Sequence, residues 1–87
     1  MHDFIFTWIN ASSSRQRWSF ESGDYFTLDP NERRSDEQQY DNWDTMWFTV
    51  SEIHRVTMRL ENGIWKILSG PASIEQSEKR IFVSCTA

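Results

Sequence analysis

Apolar and polar residues alternate with a period of two along much of this chain, the repeat of a strand with one buried face. The pattern is clearest from Val56 to Leu68. Asn62-Gly63 supplies the two positive-φ residues of a type I′ turn. That turn sets Glu61 opposite Ile64, Leu60 opposite Trp65, Arg59 opposite Lys66, Met58 opposite Ile67 and Thr57 opposite Leu68. Val56, Met58, Leu60, Trp65 and Ile67 then share one apolar face, so turn chemistry and periodicity agree on a hairpin.

The same reading extends in both directions. Phe4 to Ile9 is apolar on nearly both faces, which predicts a central strand. Gln16 to Glu21 alternates with Trp18 and Phe20 inward, and Ser22-Gly23-Asp24 turns the chain into a short strand, Tyr25 to Leu28. Met46 to Val50 is a fourth strand. Its parity matches that of 54–60, so one long bent strand through Ser51-Glu52 is possible, and a break or bulge there is the more economical reading. Beyond the turn at Ser69-Gly70-Pro71, Ala72 to Lys79 reads as an irregular strand or one helical turn. Arg80 to Thr86 is a last strand with Ile81, Val83 and Cys85 on one face. This predicts one mostly β domain over 1–87, a small antiparallel barrel or sandwich of about six strands.

One segment breaks the pattern. Asp29-Pro30-Asn31 ends the third strand, and 29–45 contains no Ile, Leu or Val. Its composition is that of an acidic loop. Ser35 is placed to cap a short helix instead, with Tyr40, Trp43 and Trp47 on one face. The segment is therefore expected as an acidic insert, loop or short helix, between strands three and four. Charge singles it out as well. Six acids and two bases lie between Asp29 and Asp44, which accounts for the whole net charge of −4.

The strand followed by Glu61-Asn62-Gly63-Ile64-Trp65-Lys66-Ile67 resembles the hairpin found late in cone-shaped nuclear-transport-factor-like domains. The resemblance covers the hairpin alone and implies no function.

Five Trp, six Phe and two Tyr point to a core built from rings. Cys85 is the only cysteine, so neither an intramolecular disulfide nor a thiolate metal cluster can form, and no cofactor or metal is expected. The N-terminus lacks the basic start and apolar run of an export signal, and no window approaches the ~20 apolar residues of a membrane span. A cytoplasmic setting is expected, and the sequon Asn10-Ala11-Ser12 is discounted accordingly. His54 with Glu52 is the one His–carboxylate pair close in sequence. It reads as a half-exposed histidine at a strand start rather than an acid–base pair. With no Gly-rich phosphate loop and no nucleophile elbow, no catalytic residues are assigned and the chain is not expected to be an enzyme.

The expected function is a non-enzymatic protein-binding module. A small acidic inhibitor, of the immunity or anti-defence type, acting on a partner with a basic surface fits best. Asp36, Glu37, Tyr40, Asp41, Trp43, Asp44 and Trp47 are the candidate contacts, because aromatic residues flanked by charge make interface hot spots. Arg55, Arg59 and Lys66, on the back of the hairpin, form a candidate face for an anion or acidic partner, or the surface over which the acidic segment folds in cis. The acidic balance disfavours nucleic acid. The alternative function is a small-ligand or carbohydrate binder that uses exposed Trp rings.

Overall fold

Two sheets face each other across a layer of aromatic rings. The computed structural model describes all residues 1–87 and contains nine strands and no helix. These are β1 (His2–Asn10), β2 (Gln16–Phe20), β3 (Tyr25–Leu28), β4 (Arg33–Tyr40), β5 (Thr45–Val50), β6 (His54–Glu61), β7 (Ile64–Ser69), β8 (Ala72–Ser77) and β9 (Arg80–Cys85). One sheet has the order β4-β1-β9-β8 and the other β3-β2-β5-β6-β7. Neither closes into a barrel, and the arrangement is sandwich-like. The count is nine strands rather than about six, because 29–45 and 72–79 each contribute a strand and 46–60 is divided into two, β5 and β6, at Ser51-Glu52.

The central strand predicted at the N-terminus is β1, flanked on both sides. It runs antiparallel to β4 and parallel to β9, so the first and last strands of the chain are neighbours. Its inward residues Phe4, Phe6 and Trp8 are buried, together with Trp18, Phe48, Val56, Met58, Leu60, Trp65, Ile81, Val83 and Cys85. Phe6 and Trp8, two residues apart and thus on one face, stack at 5.0 Å with ring planes 1° apart. Across the layer, Trp8 meets Phe48 edge-on at 5.5 Å and Phe6 meets Trp65 at 5.4 Å. Offset and edge-on pairs of this kind add about 0.5–1.5 kcal/mol each beyond the area they bury. The indole N–H groups of Trp8 and Trp65 are buried among these rings without an acceptor.

Two polar side chains complete the core. Gln16 Nε2 donates to the Cys85 and Ala87 carbonyls (3.0 and 2.6 Å), and its Oε1 accepts from the Trp18 indole (3.0 Å), joining the sheets at one end. Asn10 is fully buried. Its Nδ2 donates to the carbonyls of Ser14 and Leu28, and its Oδ1 accepts from the Ser12 amide and hydroxyl. The sequon asparagine is thus a structural clamp for the β1–β2 loop, and its amide is enclosed.

The segment expected as a loop or helix is β4, paired with β1 from His2↔Tyr40 to Ile9↔Arg33. Its apolar signal is missing for a physical reason. β4 is an edge strand, and its inward residues Arg34, Asp36, Gln38 and Tyr40 face an open cleft rather than a dry core, so polar side chains occupy both faces. No long strand spans 46–60 either. Ser51 and Glu52 adopt φ of 54° and 69° and reverse the chain, pairing Val50 with His54. Glu52 sits in that turn and does not share a strand face with His54.

The predicted hairpin is β6–β7. Asn62 and Gly63 have φ of 51° and 82°, and the register holds from Glu61↔Ile64 to Met58↔Ile67. The next pair is Thr57↔Ser69, not Thr57↔Leu68, because a bulge intervenes. Immediately beyond, Gly70 (φ 106°) crosses against β6, where a Cβ would lie 2.5 Å from the Arg55 carbonyl oxygen. This close crossing follows the bulge and carries the chain through Pro71 into β8 of the other sheet.

Candidate functional site

The sandwich is tied shut on one side and open on the other. On the closed side, the inward Gln76 of β8 accepts from the Trp65 amide through Oε1 and donates to the Gly63 carbonyl through Nε2, each at 2.8 Å. On the open side the edge strands β3 and β4 diverge, leaving a cleft of about 320 Å³.

Its walls combine rings with carboxylates. Phe20, Phe26 and Met46 come from the five-stranded sheet, Tyr25 and Trp47 stand at its rim, and Tyr40 comes from β4. Glu21 and Asp24 lie at the β2–β3 turn and Asp36 on β4, against a single cation, Arg34, for a net charge of −2. The Arg34 guanidinium is held over Phe26, 4.9 Å from the ring centroid, and has no carboxylate within salt-bridge distance. Along the inward face of β4, the Tyr40 hydroxyl donates to Gln38 Oε1 (2.7 Å), and Gln38 Nε2 donates to Asp36 Oδ2 (3.4 Å). Period-2 spacing on a strand produces this ladder. Burial, followed by the charges of Glu21, Asp44 and Asp36, pushes the Tyr40 phenol up to about 12. Enclosure of the phenol is thus the main cause and the nearby carboxylates the secondary one.

The predicted contact residues divide among several places. Asp36 and Tyr40 line the cleft, whereas Glu37 lies on the outer face of its sheet, opposite Ile5. Asp41 pairs with the N-terminal amine at 2.8 Å, which lowers its carboxyl pKa, and Asp44 Oδ2 accepts from the Asp41 amide at 2.7 Å. Both therefore shape the β4–β5 loop. Trp43, in that loop, is 59% exposed at φ 76°. A bulky residue pays about 1–3 kcal/mol for such a backbone. Trp47 is half-buried on the outer face of β5.

No carboxylate of the acidic segment pairs with Arg55, Arg59 or Lys66, because β4 belongs to the other sheet and only the end of the segment, around Trp43, reaches the hairpin. Glu61, from the hairpin itself, takes that role. Its carboxylate meets Arg59 at 2.9 Å and Lys66 at 3.1 Å, contacts that hold its pKa below the usual range. Arg55 lies 4.1 Å from the Trp47 ring centroid and Arg59 5.9 Å from that of Trp43. Of the predicted aromatic contacts, Trp43 and Trp47 thus meet the predicted basic face, whereas Tyr40 stays with Asp36 in the cleft.

Glu21, Asp24, Arg34 and Gln38 are cleft residues that the sequence reading did not single out. Strand parity carried one available signal. Had β4 been recognised, Arg34, Asp36, Gln38 and Tyr40 would have fallen on one face. Compared with protein-family models, with curated proteins and with solved structures, the chain matches none.

Proposed function

We propose that this chain is a non-enzymatic protein-binding module that receives a basic side chain of its partner in the cleft between β3 and β4. The observation that supports this is the cleft's composition: three carboxylates and several aromatic rings against one guanidinium, which is itself held by a ring. A lysine or arginine stem packs on rings while its charge meets carboxylates. Acidic side chains around such a cleft also speed encounter with a basic surface. A small inhibitor of a protein with a basic functional surface would act in this way. A cytoplasmic setting, where the buried Cys85 thiol stays reduced, belongs to the same proposal. No helix of the chain is long and apolar enough to cross a membrane.

The reading as a carbohydrate or small-ligand binder needs at least two exposed, coplanar Trp rings. Trp8, Trp18 and Trp65 are buried, and Arg55 lies over Trp47, so the observations favour it less.

A fluorescent oligo-arginine peptide tests the proposal at low salt. The triple variant Glu21→Gln, Asp24→Asn, Asp36→Asn is expected to bind it at least about tenfold more weakly than the unaltered chain, as loss of a few charge contacts implies. Unchanged affinity in a folded triple variant would refute the cleft as the binding site.

A further inference from the structure

The outward side of the five-stranded sheet carries a second arrangement, made of residues that the cleft does not use for its charge. Arg17 lies 4.2 Å from the Tyr25 ring centroid, and Arg55 and Arg59 stand over Trp47 and Trp43. Arg55 and Arg59 are four residues apart on β6, so cation, ring, cation and ring follow one another along the strand. The outward positions of β2, β6 and β7 hold Arg17, Arg55, Arg59 and Lys66 against Glu61 alone, a net charge of +3 on a chain of −4. Arg59 and Lys66 are engaged by Glu61, whereas Arg17 and Arg55 meet no carboxylate within 4.0 Å. A ring holds a guanidinium without consuming its N–H donors, which stay available to a carboxylate.

Trp43 supplies an independent observation. Its backbone occupies the left-handed region, and its amide donates to the Leu60 carbonyl at 2.6 Å, which fixes the loop against β6. The ring held by this rare conformation is not in the core but mostly exposed, and Ile64, paired with Glu61 on the same sheet, is 52% exposed. Trp, Tyr and Arg are the residue types that dominate protein interfaces.

We propose that this face docks an acidic segment of a partner protein, with Arg17 and Arg55 receiving carboxylates and the exposed Trp43 and Ile64 receiving apolar side chains. The choice of protein over single-stranded nucleic acid rests on two points. Guanidinium groups already cover one face of the rings on which bases would stack. Exposed Ile64 and Leu68 add aliphatic surface that a nucleic acid does not use. The proposal does not depend on the cleft, and its residues can be altered without touching the cleft carboxylates.

The test titrates the ¹⁵N-labelled full chain with a synthetic peptide of alternating Glu and Leu, and separately with an oligodeoxythymidine of equal charge. The peptide is expected to move the indole signals of Trp43 and Trp47 and the amides of Arg55 to Arg59. Arg55→Gln and Trp43→Ala, both at exposed positions and with the folded spectrum retained, are each expected to weaken peptide binding by about fivefold or more. Tighter binding of the oligonucleotide than of the peptide would overturn the proposal in favour of nucleic acid. Signals on this face that stay still, or variants that bind as the parent does, would overturn it outright.

Discussion

The Arg34 guanidinium of β4 stands 4.9 Å from the centre of the Phe26 ring on β3, and so spans the mouth of the cleft between the two sheets. It is the one cation among the carboxylates there, and it opposes the charge that would attract a basic side chain. Arg34→Ala is expected to cost only about 0.5–1 kcal/mol of stability, as for an exposed cation–π contact. It is expected to bind oligo-arginine about threefold more tightly at low salt, because one like charge leaves the site. Weaker binding would mean that the contact holds the cleft in its receptive shape.

Tyr40 is enclosed beside the same carboxylates. Its phenol is raised from the ordinary 10 to about 12 by burial and by Glu21, Asp44 and Asp36. The neutral form is therefore favoured in the folded chain. The resulting stability is fully present below pH 10 and is lost as pH rises through about 12. In a Tyr25→Phe background, phenolate absorbance should remain low at pH 11. Tyr40→Phe should remove this group's share of the alkaline loss of stability. Ordinary titration near pH 10 would contradict the described burial and charge.

Asn10 should be intolerant of substitution. Asn10→Ala removes two donors from buried or half-buried carbonyls and empties an enclosed site. The expected loss is about 2–4 kcal/mol by urea unfolding, while Ser13→Ala, on the exposed part of the same loop, should change little. A near-neutral Asn10→Ala would show that the loop is not clamped there.

Gly70→Ala tests the crossover between sheets. A Cβ at φ 106° would meet the Arg55 carbonyl oxygen at 2.5 Å and the Val56 Cα at 2.7 Å. Both contacts are backbone, so neither yields easily. Strain and overpacking together predict a loss of about 2–5 kcal/mol. Gly63→Ala offers a comparison, since it meets strain without a clash and should cost less.

What the sequence disclosed depended on where each strand lies. The β6–β7 hairpin was legible because Asn62-Gly63 and the apolar face from Val56 to Ile67 specify one register independently. Its departure at Thr57 was not, since neither the Asn62-Gly63 turn nor the alternating apolar face carries a signal for a bulge. β1 and β9 were legible as strands from their apolar content, though not their parallel pairing, which no local turn signals. β4 was invisible because its two faces meet solvent and an open cleft, so hydrophobic periodicity had nothing to record. The candidate sites were misgrouped for the same reason. Reading 29–47 as one surface joined Trp43 and Trp47 to the acids, whereas the change of sheet after Tyr40 delivers both rings to Arg55 and Arg59.

The central claim is that the cleft between β3 and β4 receives a basic group. Its most direct measurement is a titration of the ¹⁵N-labelled chain with an oligo-arginine peptide at low salt, followed through every assigned amide. Shifts are expected to concentrate in Phe20 to Phe26 and Arg34 to Tyr40 and to vanish in the Glu21→Gln, Asp24→Asn, Asp36→Asn variant. Shifts confined to the outer face of β1, β4 and β9, or the same shifts in that variant, would contradict it.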